Sequence, residues 1–321
     1  MNAYLIFPRD SSARSATLVD CGIYLPEERE ADHGWDHLVA ALAACDATPS
    51  DIGRLVITHP HADHYGMAGR LMDETGCELW MHAAAGADLE GYRDPAGTAR
   101  RLAEMLRDHG VGDPEIKELT AYEDWRHFVS RVVDADRALE GGETFTAGER
   151  EWTIIHTPGH SPAHVCVWSS SDRILLSGDH LLGAITPHID FHRGDENPLG
   201  EFLASLEKIE ALAPALVLPG HGRPFDDGAG RARVVARHHD QRLGSILQVI
   251  RNEPHTAEEI TQGVFGSALL DFEKRLALGE ALAHIAYLRL QGDVEQIQDA
   301  DGTLRYKKIR RRRGSDDEED E

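Results

Sequence analysis

Three histidines and an aspartate crowd into six residues, His59-Pro60-His61-Ala62-Asp63-His64, directly after the apolar run Leu55-Val56-Ile57. A short run of this kind with no polar break reads as a buried strand, so the four polar residues sit just past its C-terminal end. His59 and His61 are two apart, and in extended chain that spacing puts both imidazoles on one side. The chain must then turn, which swings Asp63 and His64 towards a point beside them. Neutral imidazole and carboxylate are the usual ligands of zinc and its first-row neighbours. One metal near the histidine pair and a second near Asp63 and His64 would account for all four. A polar surface loop is the plain alternative, but it suits a lone histidine better than four ligand-type side chains at one strand end.

Three further stretches have the same form. Thr157-Pro158-Gly159-His160 follows the run at Ile154-Ile155, Ser177-Gly178-Asp179-His180 follows Leu175-Leu176, and Pro219-Gly220-His221-Gly222 follows Leu216-Val217-Leu218. In each, an apolar strand stops at a glycine and a ligand-type residue comes at once. Glycine permits the tight backbone that carries a ligand over a sheet edge.

The elements that must position these residues alternate along the first 225 positions. Tyr4–Phe7 and Ala16–Val19 flank the polar Arg9-Asp10-Ser11-Ser12 and predict a hairpin. His37–Ala44 and Tyr65–Glu74 read as helices, and Glu78–Met81 as a strand. Residues 86–130 carry a helix over Thr98–Asp108 and many glycines and prolines, and read as a helical insertion that covers a site or shapes its mouth. Strands resume at Arg131–Val133, Glu151–Ile155, His164–Trp168 and Arg173–Leu176. The helix Pro198–Glu210 and the strand Ala215–Leu218 follow.

Residues 226–310 change character. Long helices over Arg231–Arg251 and Phe272–Leu290 enclose a short one opened by Thr256 and Glu259, a capping box. Two alternating strands then pair about Asp301-Gly302. Helix, helix, helix, hairpin is the order of a winged-helix domain. Residues 311–321 set Arg310–Arg313 against Asp316–Glu321 and read as a disordered charged tail.

Of 321 residues, 41% are hydrophobic, ample for a core, and the net charge is −23. Residues 1–225 hold 18 Lys and Arg against 37 Asp and Glu, a balance of −19; residues 226–310 hold 12 against 13, a balance of −1. An acidic body repels phosphate backbones, so a nucleic-acid partner is not expected. Cys21, Cys45, Cys77 and Cys166 form no CxxC pair, which argues against thiolate metal sites and disulfides and suits a reducing cytosol. No basic stretch leads into an apolar run at the N-terminus, and no segment reaches the roughly 18 apolar residues of a membrane span. The expectation is a cytoplasmic protein.

With His59-x-His61-x-Asp63-His64, His160, Asp179 and His221 in this order, the first 225 residues resemble the metallo-β-lactamase-fold hydrolases. The resemblance implies an α/β fold, the αββα sandwich, with a dinuclear site along one edge of two facing sheets. It implies that His59, His61 and His160 bind one metal and Asp63, His64 and His221 the other, with Asp179 bridging. A hydroxide between the metals would be the nucleophile, and Asp63 would orient that water or pass its proton. The cofactors implied are two divalent ions, zinc first, with manganese or iron open to a set that contains no cysteine.

The winged-helix-like addition resembles the β-lactamase-like endoribonuclease branch, whose members are often described as hydroxyacylglutathione-hydrolase-like. The balance of −1 over residues 226–310 lacks the basic face of a nucleic-acid reader, which favours a structural or substrate-pocket role. Asp179 is followed by His180-Leu181-Leu182, without the tyrosine that acyl-homoserine lactonases place there. Gly183–His188 lacks the cysteine and arginine of true glyoxalase II. The leading reading is a dinuclear hydrolase of a small-molecule ester, thioester or related carbonyl compound. The rivals are a metal-dependent phosphodiesterase or ribonuclease, a mononuclear iron dioxygenase of the persulfide type, which would leave Asp63, His64 and His221 without a metal, and a binding protein that kept the site without turnover.

Among the remaining residues, His164 reads as a partner that orients a ligand and His180 as structural, while the resemblance implies that Asp20 matches a family position near the metals that fixes loops by hydrogen bonds. Tyr65 is a pocket wall or a core ring. His188 and His192 read as solvent-exposed loop residues, and His238 and His239 as surface residues. The apolar helices within 231–290 would suit a homodimer.

Overall fold

Leu55 and Val56 are consecutive in one strand, point to opposite faces, and are both fully buried. That is the mark of a strand covered on both sides. The computed structural model describes residues 1–7, 16–25, 34–121, 124–191 and 197–310. The Arg9–Ser12 loop, His192 and the charged tail from 311 onward lie outside these residues.

The first sheet takes β1 (Tyr4–Ile6), β2 (Ala16–Val19), β3 (Ile52–Val56), β4 (Glu78–His82) and β5 (Arg137–Leu139) in that spatial order. The expected β1–β2 pairing is antiparallel, with Leu5 opposite Leu18, and every later pairing in this sheet is parallel. The second sheet comprises β6 (Thr144–Ala147), β7 (Arg150–His156), β8 (Val165–Ser169), β9 (Ile174–Gly178), β10 (Leu216–Pro219) and β11 (Phe225–Asp226), arranged spatially from β11 back to β6. β7 and β9 are each antiparallel to β8, and β10 is parallel to β9. Strands β7, β9 and β10 therefore run the same way and end on one edge.

The two sheets meet through Val19, Val56 and Trp80 on one side and Trp152, Ile154, Val167 and Leu176 on the other. Outside the first sheet, α1 (Gly34–Ala43), α2 (Ala62–Tyr65), α3 (Ala68–Thr75) and α4 (Ala85–Arg93) bury Leu38, Tyr65, Leu71 and Leu89 against Leu18, Leu55 and Leu79. Outside the second, residues of α7 (Pro198–Leu212) and α8 (Gly228–Val249) pack on Trp168, Leu175 and Val217. The layers are thus helix, sheet, sheet, helix, as the sequence led us to expect.

Three details differ from the sequence reading. Arg131-Val132-Val133 is not a strand: the N–H and C=O of Val133 bond the buried Tyr65 hydroxyl at 2.6 and 2.8 Å, not a neighbouring strand. β5 forms instead at Arg137–Leu139, while β6 and β11 were not anticipated. The helix expected over 65–74 is two, broken around Gly66-Met67.

The insertion has more definite structure than its composition suggested. Asp94 accepts the Gly97 N–H at 2.8 Å and caps α5 (Pro95–Asp108), which α6 (Asp113–Thr120) follows. Their apolar faces do not join the catalytic sandwich. Leu102, Met105, Leu106, Ile116 and Leu119 share one core with Ile246, Ile260, Leu278, Leu282, Val294 and Tyr306. That core is completed by α9 (Ala257–Phe265), α10 (Asp271–Leu290) and the hairpin β12 (Val294–Gln298) and β13 (Leu304–Lys308). The Thr256–Glu259 capping box at α9 is formed, with bonds of 2.8 and 3.1 Å.

Replacing Leu106 on α5 by Ala should lower stability by about 2–5 kcal/mol. It should also speed hydrogen exchange in α9 and α10, remote in sequence. Faster exchange confined to residues 95–120 would show that the shared core is not one cooperative unit.

Candidate metal centre

β3 stops at Val56, and the chain bends at Thr58 and is extended again at His61 before α2 begins at Ala62. Because α2 starts there, Asp63 and His64 are carried back over the edge that His59 and His61 already occupy. From the second sheet, β7 delivers His160, β9 delivers Asp179 and β10 delivers His221 to the same edge. The seven residues singled out from sequence are all brought together.

They form three overlapping groups of three: His59 with His61 and His160, Asp63 with His64 and His221, and His59 with His64 and Asp179, which joins the other two. In the first, His59 Nε2 lies 3.0 Å from His61 Nδ1 and 3.3 Å from His160 Nε2. In the second, His221 Nε2 lies 2.9 Å from Asp63 Oδ2, and His64 Nε2 lies 3.5 Å from the same oxygen. Asp179 stands between them: Oδ1 is 3.4 Å from His64 Nε2, and Oδ2 is 3.4 Å from His221 Nε2 and 3.9 Å from His160 Nε2. Gly220 is needed at this closeness, since a Cβ there would overlap Asp179 Oδ1 and come 2.7 Å from His64 Cε1.

The second nitrogen of three imidazoles is bonded away from the centre. His64 Nδ1 donates to Asp20 Oδ2 at 2.8 Å, and His160 Nδ1 donates to the His188 carbonyl at 2.6 Å. Thr58 Oγ1 donates to Asp20 Oδ2 at 2.9 Å and receives His59 Nδ1 at 3.1 Å. Each bond leaves Nε2 as a bare acceptor aimed at the cluster, the arrangement that orients metal-binding histidines.

Burial, reinforced by the neighbouring imidazoles, pushes His59 well below the ordinary histidine range and, with His160 the chief neighbour, His61 down to about 3. These are neutral donors at physiological pH. At His64 burial acts downward too, but the Asp20 and Asp179 carboxylates outweigh it and raise the group to about 10. A field that would hold a proton there equally favours a metal cation. For Asp63, burial opposes ionisation, yet the His221 hydrogen bond and the His64 and His61 imidazoles hold the carboxyl well below its usual range.

The residues fit a metal pair on a second count. His64 Nε2 and Asp179 Oδ1 are buried and make no hydrogen bond, a cost of about 1–3 kcal/mol per group that coordination would remove. The donor set is imidazole and carboxylate only. The nearest thiol, Cys21, donates instead to the His64 carbonyl at 3.3 Å.

His164 orients rather than ligates: its Nε2 accepts the Asp179 N–H at 3.1 Å, and Nδ1 bonds Thr157 Oγ1 at 2.8 Å. His180 is fully buried against Phe202, a structural position. Tyr65 is a core ring. Two expectations fail. His188 is not a free loop residue, since its carbonyl holds His160 and its ring faces Glu280 and Asp190. His239 is fully buried, because α8 turns that face onto α10, where its Nδ1 meets His284 Nε2 at 3.1 Å. With Glu280 these two form a further ligand-type group, apart from the seven. Arg242, 3.8 Å from Glu280, already balances that carboxylate. Thr58 escaped the sequence reading; a hydroxyl residue directly before the first histidine was the available signal.

The Metallo-beta-lactamase superfamily model matches residues 2–221, and that for the Metallo-beta-lactamase-like, C-terminal domain matches residues 243–309. The chain belongs to the metallo-beta-lactamase superfamily. The fold matches the crystal structure of a beta-lactamase domain protein from Burkholderia ambifaria with a TM-score of 0.81 and 31% identity, covering 96% of this chain and 88% of that one. The probable metallo-hydrolase YqjP of Bacillus subtilis (strain 168) is 25% identical over 92% of this chain and 91% of its own length. Gallus gallus MBLAC2, an acyl-coenzyme A thioesterase, is 29% identical over 60% of this chain and 64% of its own. The protein is an enzyme, a metallo-hydrolase of this superfamily. Among the described residues no helix is long and apolar enough to cross a membrane.

Mass spectrometry of the purified protein should find about two metal ions per chain. His61→Ala or His221→Ala should each lose about one, and Asp179→Ala should weaken both. Protein that holds no metal after reconstitution with zinc would rule out a ligand role for the seven side chains.

Proposed function

We propose that the enzyme hydrolyses a small-molecule ester or thioester with two divalent metal ions, zinc before manganese or iron. His59, His61 and His160 would hold one ion and Asp63, His64 and His221 the other. The observation that carries this is the Asp179 carboxylate, whose two oxygens face His64, His221 and His160 at 3.4 to 3.9 Å and so reach both sets. When bound, such a pair supplies a water whose pKa falls from about 15.7 towards 7 and a Lewis acid for the carbonyl oxygen.

The chain's own groups do the rest. Of the two carboxylates in the cluster, half-buried Asp63 is the more open, its side chain 37% accessible against 13% for Asp179, so it is the one that meets an incoming substrate. Ionised and held by His221, it is placed to accept a proton from the attacking water and return it to the departing alkoxide or thiolate. His59 and His64, bonded behind to Thr58 and Asp20, keep their Nε2 atoms fixed while charge develops on the carbonyl oxygen. A thioester is favoured as substrate by the resemblance to the Gallus gallus acyl-coenzyme A thioesterase. The balance of −19 over residues 1–225 sets the nucleic-acid alternative lower, through repulsion of a polyanion.

Asp63→Asn should lower kcat on a thioester roughly 10²- to 10⁴-fold with a smaller change in KM. A variant that keeps kcat within about threefold would remove Asp63 from proton transfer. Turnover of phosphodiesters but no thioester or ester would transfer the site to the rival chemistry.

A further inference from the structure

The metal-binding role of His160 depends on which way its ring faces, and the His188 carbonyl sets that at 2.6 Å. His188 lies in a stretch without regular secondary structure, and a lone carbonyl in such a stretch has no strand or helix to hold it. What holds residues 188–190 comes from far along the chain. Arg275 on α10 grips Asp190 with two bonds, Nη2 to Oδ2 at 2.8 Å and Nη1 to Oδ1 at 3.1 Å. The guanidinium is 7% accessible and the carboxylate 15%. A forked, desolvated pair of this kind fixes direction as well as distance. One turn further on, a Cβ at Gly279 would overlap Asp190 Oδ1, so the absence of a side chain there lets the helix approach. Glu280 Oε2 then faces His188 Nδ1 at 3.8 Å. Between these two residues Ile189 is fully buried in the apolar cluster that includes Ala283 of the same helix.

We propose that α10 acts as a positioning element for the catalytic edge, its Arg275–Asp190 ion pair holding the 188–190 segment so that the His188 carbonyl fixes the tautomer and direction of His160. The inference rests on the metal reading of His160. Ile189 sets how deep the segment sits, whereas the ion pair sets how it is turned, and the turn is what aims the carbonyl. The C-terminal region therefore tunes one metal position, that of His59, His61 and His160, and leaves that of Asp63, His64 and His221 untouched. Arg275 and Asp190 touch neither set and act only through His160.

The test is zinc affinity of the whole protein, measured by competition with a chromophoric chelator. Arg275→Ala strands a buried carboxylate and risks misfolding, so the working variant is the neutral pair Asp190→Asn with Arg275→Gln, checked by its melting midpoint. In a His221→Ala background, which keeps the first set, this pair should weaken zinc binding roughly tenfold to a hundredfold. In a His61→Ala background, which keeps the second, affinity should stay within about twofold. Arg275→Lys alone, which keeps the charge but loses the fork, should fall between. Equal affinity with and without the ion pair would overturn the inference, and so would an equal loss in both backgrounds, which is general loosening. If the unmodified protein binds no zinc, the metal reading itself has failed; if it binds two ions and shows no selective loss, only the role given to α10 has.

Discussion

A single buried carboxylate underlies the geometry of the centre. Asp20 accepts the Thr58 N–H at 2.7 Å, the Thr58 hydroxyl at 2.9 Å and His64 Nδ1 at 2.8 Å. It thereby aims His64 directly and His59 through Thr58. It does so with a backbone φ of +62°, in the left-handed region that aspartate tolerates better than most residues. Imidazole has two nitrogens and can turn either outward. Without a fixed acceptor behind them, the crowded rings would satisfy one another, not a cation. The strained residue at the end of β2 is the place where the first sheet commits its donors to one direction.

The second sheet supplies the complement. Parallel running of β7, β9 and β10 means that three separate segments end on one edge. The site is thus split across two sheets that pack through an apolar layer including Val56, Trp80, Ile154 and Val167. Packing in that layer sets the distance between His59 and His160, so a core substitution far from any ligand would be felt as a change in coordination.

Much of this was legible in the chain, and for a physical reason. His59 to His64 are neighbours in sequence, and His160, Asp179 and His221 each follow an apolar strand at once, so local patterning already carried their placement. Asp20 was legible through family resemblance. What could not be read was written in the backbone or over long separations. A carbonyl such as that of His188 has no side-chain signature. The Arg275–Asp190 pair joins residues 85 apart. His239 looked superficial because a polar residue on a helix says nothing of what lies opposite it. Arg131–Val133 has strand composition, but the Tyr65 hydroxyl took the hydrogen bonds that a ladder needed. The helix at Thr98–Asp108 was legible, but neither α6 nor the partner surface beyond residue 240 was.

That last pairing bears on how the molecule comes into being. During synthesis, α5 and α6 leave the ribosome early with Leu102, Leu106, Ile116 and Leu119 uncovered, and the residues that cover them, from Ile246 to Tyr306, emerge last. At the other end, Asn2 reaches the carbonyls of Pro219, Gly220 and Gly222 beside His221. Contacts spanning so much chain form slowly and leave apolar surface open in the meantime. Until residues 246–306 have been made, the apolar faces of α5 and α6 have no partner surface from that region to pack on. The metal-binding edge is complete only once His221 has been made and Asn2 has docked beside it.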